Sequence, residues 1–245
     1  MLKNNQLLIH INNLSQKVFL KFCCIFLLIF IFSCKQDASK KTTNAETTTP
    51  NTEINQTENS NLKTIVFFGD SLTAGYGLDD VNDAFPGIIQ QKIDSLQLNY
   101  SIVNSGVSGE TTSGGKNRID WVLNQKPTIF ILELGANDGL RGVPLKQSKE
   151  NLQDIIDAVK KKYPETIIVL AGMQIPPNMG QEYTTEFKNM FPDLATKNDL
   201  YLVPFLLENV GGISDLNQKD GIHPTKEGHQ ILAKNVWTVL KPILK

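Results

Sequence analysis

From residue 63 onward, apolar runs of strand length alternate with segments of helical period, and this alternation constrains the fold more than any other feature. The runs are 64–68, 100–103, 128–134, 166–171 and 200–203. The first, Thr64-Ile65-Val66-Phe67-Phe68, is β-branched and aromatic and stops at Gly69. Such a run reads as a strand buried on both faces of a parallel sheet. Between the runs, Phe85, Ile88, Ile89, Ile93 and Leu96 share one helical face. Leu152, Ile155, Ile156, Val159 and Tyr163 share a second, and Tyr183, Phe187, Met190, Phe191 and Leu194 a third. Pro192 is expected to kink or end that third helix. The last helix follows Pro224-Thr225 and buries Ile231, Leu232, Val236, Val239 and Leu240; the segment 112–125 carries the faintest helical pattern. Strand then helix, repeated, predicts one α/β domain at 63–245 with a parallel sheet covered on both faces. The helical faces read as core.

In such a sheet the loops after the strands collect at one edge, where open α/β folds bind ligands. Four loops carry polar and glycine residues. They are Gly69-Asp70-Ser71-Leu72-Thr73-Ala74-Gly75, Asn104-Ser105-Gly106-Val107-Ser108-Gly109-Glu110-Thr111, Gly135-Ala136-Asn137-Asp138-Gly139, and Asp220-Gly221-Ile222-His223-Pro224. Taken singly each has a plainer reading. A serine in a βα turn caps a helix, glycine-rich turns cradle phosphate, and an Asn-Asp pair shapes a turn. The three histidines narrow the choice. His10 lies near the chain start, and His229 is expected on the exposed side of the last helix. His223 follows Asp220 by three residues, a spacing that lets the carboxylate hold Nδ1–H while Nε2 points elsewhere, as a Ser-His pair requires. Neither a second histidine nor a cysteine stands at metal-ligand spacing from His223, so a metal site is not expected.

Together and in this order, the four blocks resemble those of the SGNH (GDSL) hydrolases, over about 180 residues. The resemblance implies a three-layer α/β/α, flavodoxin-like fold with a five-stranded parallel sheet. It implies Ser71 as nucleophile, His223 as base and Asp220 as its orienting acid. It also implies an oxyanion hole from the Ser71 and Gly109 N–H groups and the Asn137 amide, with Gly106 as the competing second-block glycine. The strings 69–75, 133–142 and 220–224 look most like the thioesterase I/lysophospholipase L1 and arylesterase branch. The implied activity is hydrolysis of acyl esters or thioesters through an acyl-enzyme, without metal or cofactor. The G-x-S-x-G elbow of ordinary α/β-hydrolases is absent. Asp70 and Asp138 are expected to fix their turns. Arg141 is left open between an anionic headgroup and solvent, and the loop 173–180 between an acyl groove and a stiff connection.

The front of the chain adds a location. Lys3, Lys17 and Lys21 precede an unbroken apolar run, Phe22 to Phe32, followed by Ser33-Cys34-Lys35. Eleven residues is short of the ~20 needed to span a bilayer, and suits the core of a secretory signal. A helix anchor reaching back past Lys21 is the alternative. Ile31-Phe32-Ser33-Cys34 resembles the lipobox of bacterial lipoproteins, although Phe32 is bulkier than is usual there. The resemblance implies a leader at 1–33 and an acylated (palmitate-bearing) Cys34 at a membrane surface. Lys35, rather than aspartate, favours the outer membrane. Residues 34–62 are almost devoid of large apolar side chains and read as a disordered tether. The three cysteines are Cys23, Cys24 and Cys34, so the domain itself holds no disulfide, thiolate metal site or cysteine nucleophile. The net charge of −1 becomes more negative once a leader with three lysines and no acids is removed. That argues against a nucleic-acid partner. A small acyl substrate, a membrane through Cys34 and a monomeric chain are the expected associations. A carbohydrate O-acetylesterase and a non-catalytic flavodoxin-like lipoprotein are the competing functions.

Overall fold

The computed structural model describes residues 62–245. Strands β1 (Lys63–Gly69), β2 (Tyr100–Gly106), β3 (Ile129–Glu133), β4 (Ile167–Ala171) and β5 (Tyr201–Val203) form one sheet in the order β2-β1-β3-β4-β5. All neighbours pair in parallel. Each apolar run identified in the sequence is a strand. The second extends beyond Val103 because Asn104, Ser105 and Gly106 keep the ladder with Phe67, Phe68 and Gly69.

Helices α1 (Ser71–Ala74), α2 (Phe85–Ser95), α3 (Thr112–Val122), α4 (Ala136–Leu140), α5 (Leu145–Lys162), α6 (Gln181–Asn198) and α7 (Lys226–Leu240) lie between and after the strands. Ile65 to Phe68, Ile129 to Leu132 and Val169 and Leu170 are fully buried, as a sheet covered on both faces demands. Burying one such side chain contributes about 1.5–3 kcal/mol. The faint pattern at 112–125 is helical, closing in a 3₁₀ turn at Leu123–Gln125.

One local expectation is narrowed and another fails. Helix α6 runs through Pro192 rather than ending there. The proline forfeits one backbone bond, but Phe187, Met190, Phe191, Leu194 and Ala195 are buried on both sides of it, and their packing outweighs the loss. Leu96 is 52% exposed, since it is the C-cap residue just past α2.

The order 2-1-3-4-5 reverses direction between β1 and β3, so a crevice opens at their carboxyl ends. Register makes those ends level, because Gly69 pairs with both Gly106 and Glu133. Among the described residues no helix is long and apolar enough to cross a membrane. The expected leader, Cys34 and all but the last residue of the expected tether lie outside the described residues.

Candidate active site

Ser71 sits where β1 turns into α1. Gly69 has no room for a side chain, since a Cβ there would strike Thr73 Oγ1 and Glu133. Asp70 then caps the short helix, its Oδ1 accepting from Leu72 N at 3.0 Å. Ser71 thus occupies the first helical position, where a backbone N–H has no intrahelical acceptor.

His223 Nε2 stands 2.9 Å from Ser71 Oγ, and His223 Nδ1 stands 2.7 Å from Asp220 Oδ2. The other Asp220 oxygen accepts from the N–H groups of Ile222 and His223, at 2.9 and 3.0 Å. The His223 hydrogen bond, aided by these N–H groups, holds the Asp220 carboxyl down at about 2. An ionised Asp220 keeps the proton on Nδ1, which leaves Nε2 as an acceptor towards Ser71. The Tyr76 ring lies against the imidazole with centroids 4.5 Å apart.

Asn137, on α4, closes the site from the β3 side. Its Nδ2 donates to Asp70 Oδ2 and to Glu110 O, each at 3.0 Å. Both amide hydrogens are therefore occupied, and an arriving negative oxygen must share or replace one bond. Arg141 Nη2 donates to Gly109 O at 3.1 Å, which ties the second and third loops together. Arg141 is thus a brace, neither wholly solvated nor free. Gly109 adopts φ +78°, in the left-handed region that favours glycine. Gly106 N instead donates to Asn104 Oδ1 at 3.0 Å, so its N–H is spent.

Asp138 is buried and fixes its loop as expected. Its carboxylate accepts from Thr112 N at 2.8 Å, from the Thr112 hydroxyl, and from Ser148 Oγ at 3.1 Å. Asp70 does more than fix a turn, because it also orients Asn137.

Several supporting residues escaped the sequence reading. Glu133 is 1% exposed, and its Oε2 accepts from Asp70 N at 3.2 Å and Thr73 Oγ1 at 2.7 Å. Burial, then the nearby Asp70 charge, pushes its carboxyl well up. Burial likewise pushes Asp70 up to about 6, against the opposing hydrogen bonds from Leu72 and Asn137. A signal for Glu133 was present, since a carboxylate ending a fully apolar strand demands a partner. Arg118 pairs with Glu110, donates to Ser105 O at 2.8 Å and lies over the Phe68 ring. It braces the second loop, and no local pattern marked it.

His229 corrects an expectation. It is 1% exposed rather than facing solvent, and its Nδ1 accepts from Phe85 N at 3.2 Å. Burial lowers it to about 4. It is a neutral core acceptor that anchors the start of α2.

A cavity of about 470 Å³ opens beside Ser71 and His223. Met173, Ile175, Pro176, Phe205, Leu207 and Leu140 give it an apolar wall. The loop after β4 thus lines the site. Among the described residues no cluster of three or more His, Cys, Asp or Glu side chains could hold a metal.

Comparison with known proteins shows the family of the chain. Residues 67–231 match the GDSL-like lipase/acylhydrolase family model. The chain is 36% identical over 189 residues to the esterase TesA of Pseudomonas aeruginosa, covering 77% of this chain and 92% of that protein. It is 34% identical over 182 residues to thioesterase 1/protease 1/lysophospholipase L1 of Escherichia coli, covering 74% and 85%. Among solved structures, the esterase EstA from Pseudoalteromonas, inhibited by monoethylphosphonate, superposes with TM-score 0.69 at 33% identity. That match covers 74% of this chain and 97% of EstA. The SGNH-hydrolase family esterase AlinE4 gives 0.62 at 40%, covering 77% and 100%. The chain belongs to the GDSL-like lipase/acylhydrolase family, the SGNH hydrolases, and is an acyl-ester or thioester hydrolase of the serine-hydrolase type.

Proposed function

We propose that Ser71 is the nucleophile of this hydrolase, with His223 as its base and Asp220 as the acid that orients and stabilises His223. The observation that carries the proposal is the unbroken chain from Ser71 Oγ through His223 to Asp220, at 2.9 and 2.7 Å. His223 Nε2 takes the Ser71 proton as Oγ attacks the acyl carbonyl. The tetrahedral oxygen is received by the N–H groups of Ser71 and Gly109 and by Asn137, which shifts from the Glu110 carbonyl towards it. Gly109 is preferred to Gly106 because Gly106 N already serves Asn104. The intermediate collapses, and the departing alcohol or thiol leaves with the proton from His223. Water, deprotonated by the same imidazole, then cleaves the acyl-enzyme and restores Ser71.

The substrates are esters or thioesters with apolar acyl chains, lysophospholipids among them, seated against Met173, Ile175 and Phe205. Each chain supplies every group the reaction needs, and the working unit is a monomer. The enzyme acts outside the cytoplasm, held to a membrane surface by acylated Cys34. The support for this anchor is the lipobox-like Ser33-Cys34 after an apolar run.

Hydrolysis of p-nitrophenyl butyrate by wild type and Ser71→Ala tests the proposal. Loss of turnover in a folded variant is expected, and unchanged turnover rejects it. A fluorophosphonate should label wild type alone, a probe suggested by the phosphonate-inhibited relative. An ester series from acetate to palmitate, with the matching acyl-CoAs, reads the substrate class. Activity confined to acetyl groups on glycans would replace the acyl-chain reading with an O-acetylesterase. Cys34→Ala should release the protein from membranes, and retention would point to a helix anchor.

A further inference from the structure

The loop that carries Asp220 and His223 is exposed for a part whose position matters so much. The Asp220 side chain is 39% exposed, and Gly221 has nothing within 4 Å of its Cβ position. Yet His223 Nε2 must meet a hydroxyl 152 residues away in the chain. We propose that Gln218 is the positioning residue that sets this meeting, by strapping the histidine loop to the nucleophile turn.

The Gln218 side-chain amide spends its two hydrogens on two separate segments. Nε2 donates to Tyr76 O at 2.8 Å and to Pro224 O at 3.0 Å. The backbone completes the strap, since Gln218 N donates to His223 O at 2.7 Å and Gly221 N donates to Gln218 O at 2.8 Å. At the other end, Tyr76 N donates to the carbonyl of Ser71 itself at 3.0 Å. A continuous route therefore runs from Ser71 through Tyr76 and Gln218 to the backbone of Gly221, His223 and Pro224. Tyr76, whose carbonyl Gln218 holds, also packs its ring on His223.

Two further features fit a dedicated strap. Gly77 adopts φ +75°, and its Cβ position lies against Gln218 Oε1, so the turn after Ser71 and this side chain are in close contact. Asn217, next to it, pairs with Pro224 in an antiparallel bridge and sends its own amide to Val210 O and Ile213 O at 2.7 and 2.8 Å. Asn217 thus secures the loop to its own neighbourhood, while Gln218 alone of the two reaches the Ser71 side. The strap acts on reaction geometry rather than on substrate. Displacing a catalytic base by about 1 Å can cost about 10²-fold in rate.

The inference rests on Ser71 and His223 acting as proposed above, and the experiment separates the two. In the full chain, Gln218→Glu keeps the length of the side chain but faces both carbonyls with a carboxylate that cannot donate. Gln218→Ala removes both bonds and leaves the carbonyls to water; it carries the test where the first variant folds poorly. With p-nitrophenyl butyrate, each is expected to lower kcat by about 10- to 100-fold, with KM within about threefold of wild type. The rate of fluorophosphonate labelling at Ser71 should fall by the same factor. All rates are referred to the folded fraction by circular dichroism, which removes any loss caused by unfolding. A kcat within twofold of wild type, or a loss expressed in KM alone, overturns the strap while leaving Ser71 as nucleophile. Activity retained in Ser71→Ala overturns both.

Discussion

Asn137 Nδ2 lies 3.0 Å from Asp70 Oδ2, across the reversal point between β1 and β3. The residue before Ser71, the proposed nucleophile, therefore orients the amide proposed to receive the oxyanion. Asp70 also caps α1 through Leu72 N. Asn137→Ala should lower kcat by about 10²–10³, the usual worth of one oxyanion donor. Asp70→Ala should cost a similar factor in kcat with little change in KM, because the amide loses its aim. Steady-state kinetics on a short p-nitrophenyl ester checks both. An Asp70→Ala enzyme with wild-type kcat would detach Asp70 from the amide's role.

Ser71, His223 and Asp220 should behave as one unit. Ser71→Ala and His223→Ala each remove nearly all turnover, and the double variant is no slower than either alone. Asp220→Asn should lower kcat by up to about 10⁴, because the imidazole loses its orienting charge. Multiplicative losses in the double variant would mean that the two groups work independently.

The buried carboxyls under Ser71 should leave a mark on stability against pH. Asp70 holds its proton to about 6 in the folded chain, against 3.8 for the free side chain. The native state therefore binds more protons than the unfolded state in that window, and stability falls as pH rises through it. Glu133, raised well above its ordinary value, carries the fall to higher pH. Glu133→Gln keeps an acceptor for Asp70 N and Thr73 Oγ1 but cannot ionise. Its unfolding midpoint should fall less than that of wild type as pH rises past the ordinary carboxylate range, as calorimetry over a pH series would show. Parallel curves for the two proteins would count against a neutral Glu133.

His229 gives the opposite slope. Its folded value of about 4 lies below the ordinary 6.5, so the unfolded chain takes up the proton first. The stability due to neutral His229 is present above 6.5 and is lost as pH falls towards 4. His229→Leu removes this acid sensitivity and strands the Phe85 N–H, costing about 1–3 kcal/mol at neutral pH. Turnover per folded molecule should be unchanged. A drop in kcat itself would give His229 a part in the chemistry.

Legibility of the fold followed the strength of the periodic signal. Strands β1, β3 and β4 were readable because each is a short apolar run buried on both faces and ended by turn residues, while the edge strands β2 and β5 are only partly buried and rested on shorter apolar runs. Pro192 misled because local propensity says helix end, whereas buried neighbours on both sides decide otherwise. His229 misled because one polar residue on an amphipathic helix can face either way. The Phe85 N–H, donated from the start of α2, and the Phe85 ring stacked on the imidazole favour the inward choice.

The chain's order of residues determined which groups were available: a serine after a buried strand, an aspartate three before a histidine, an asparagine in a glycine turn. Those are local facts, carried by strand ends and tight turns. Tertiary structure alone decided how the groups are held. Glu133 under Asp70, Arg118 on the second loop and Gln218 between two distant carbonyls each act on partners from other segments. Such contacts form only after the sheet has brought separate loops to one edge, and a linear pattern has no term for a hydrogen bond between residues that distant.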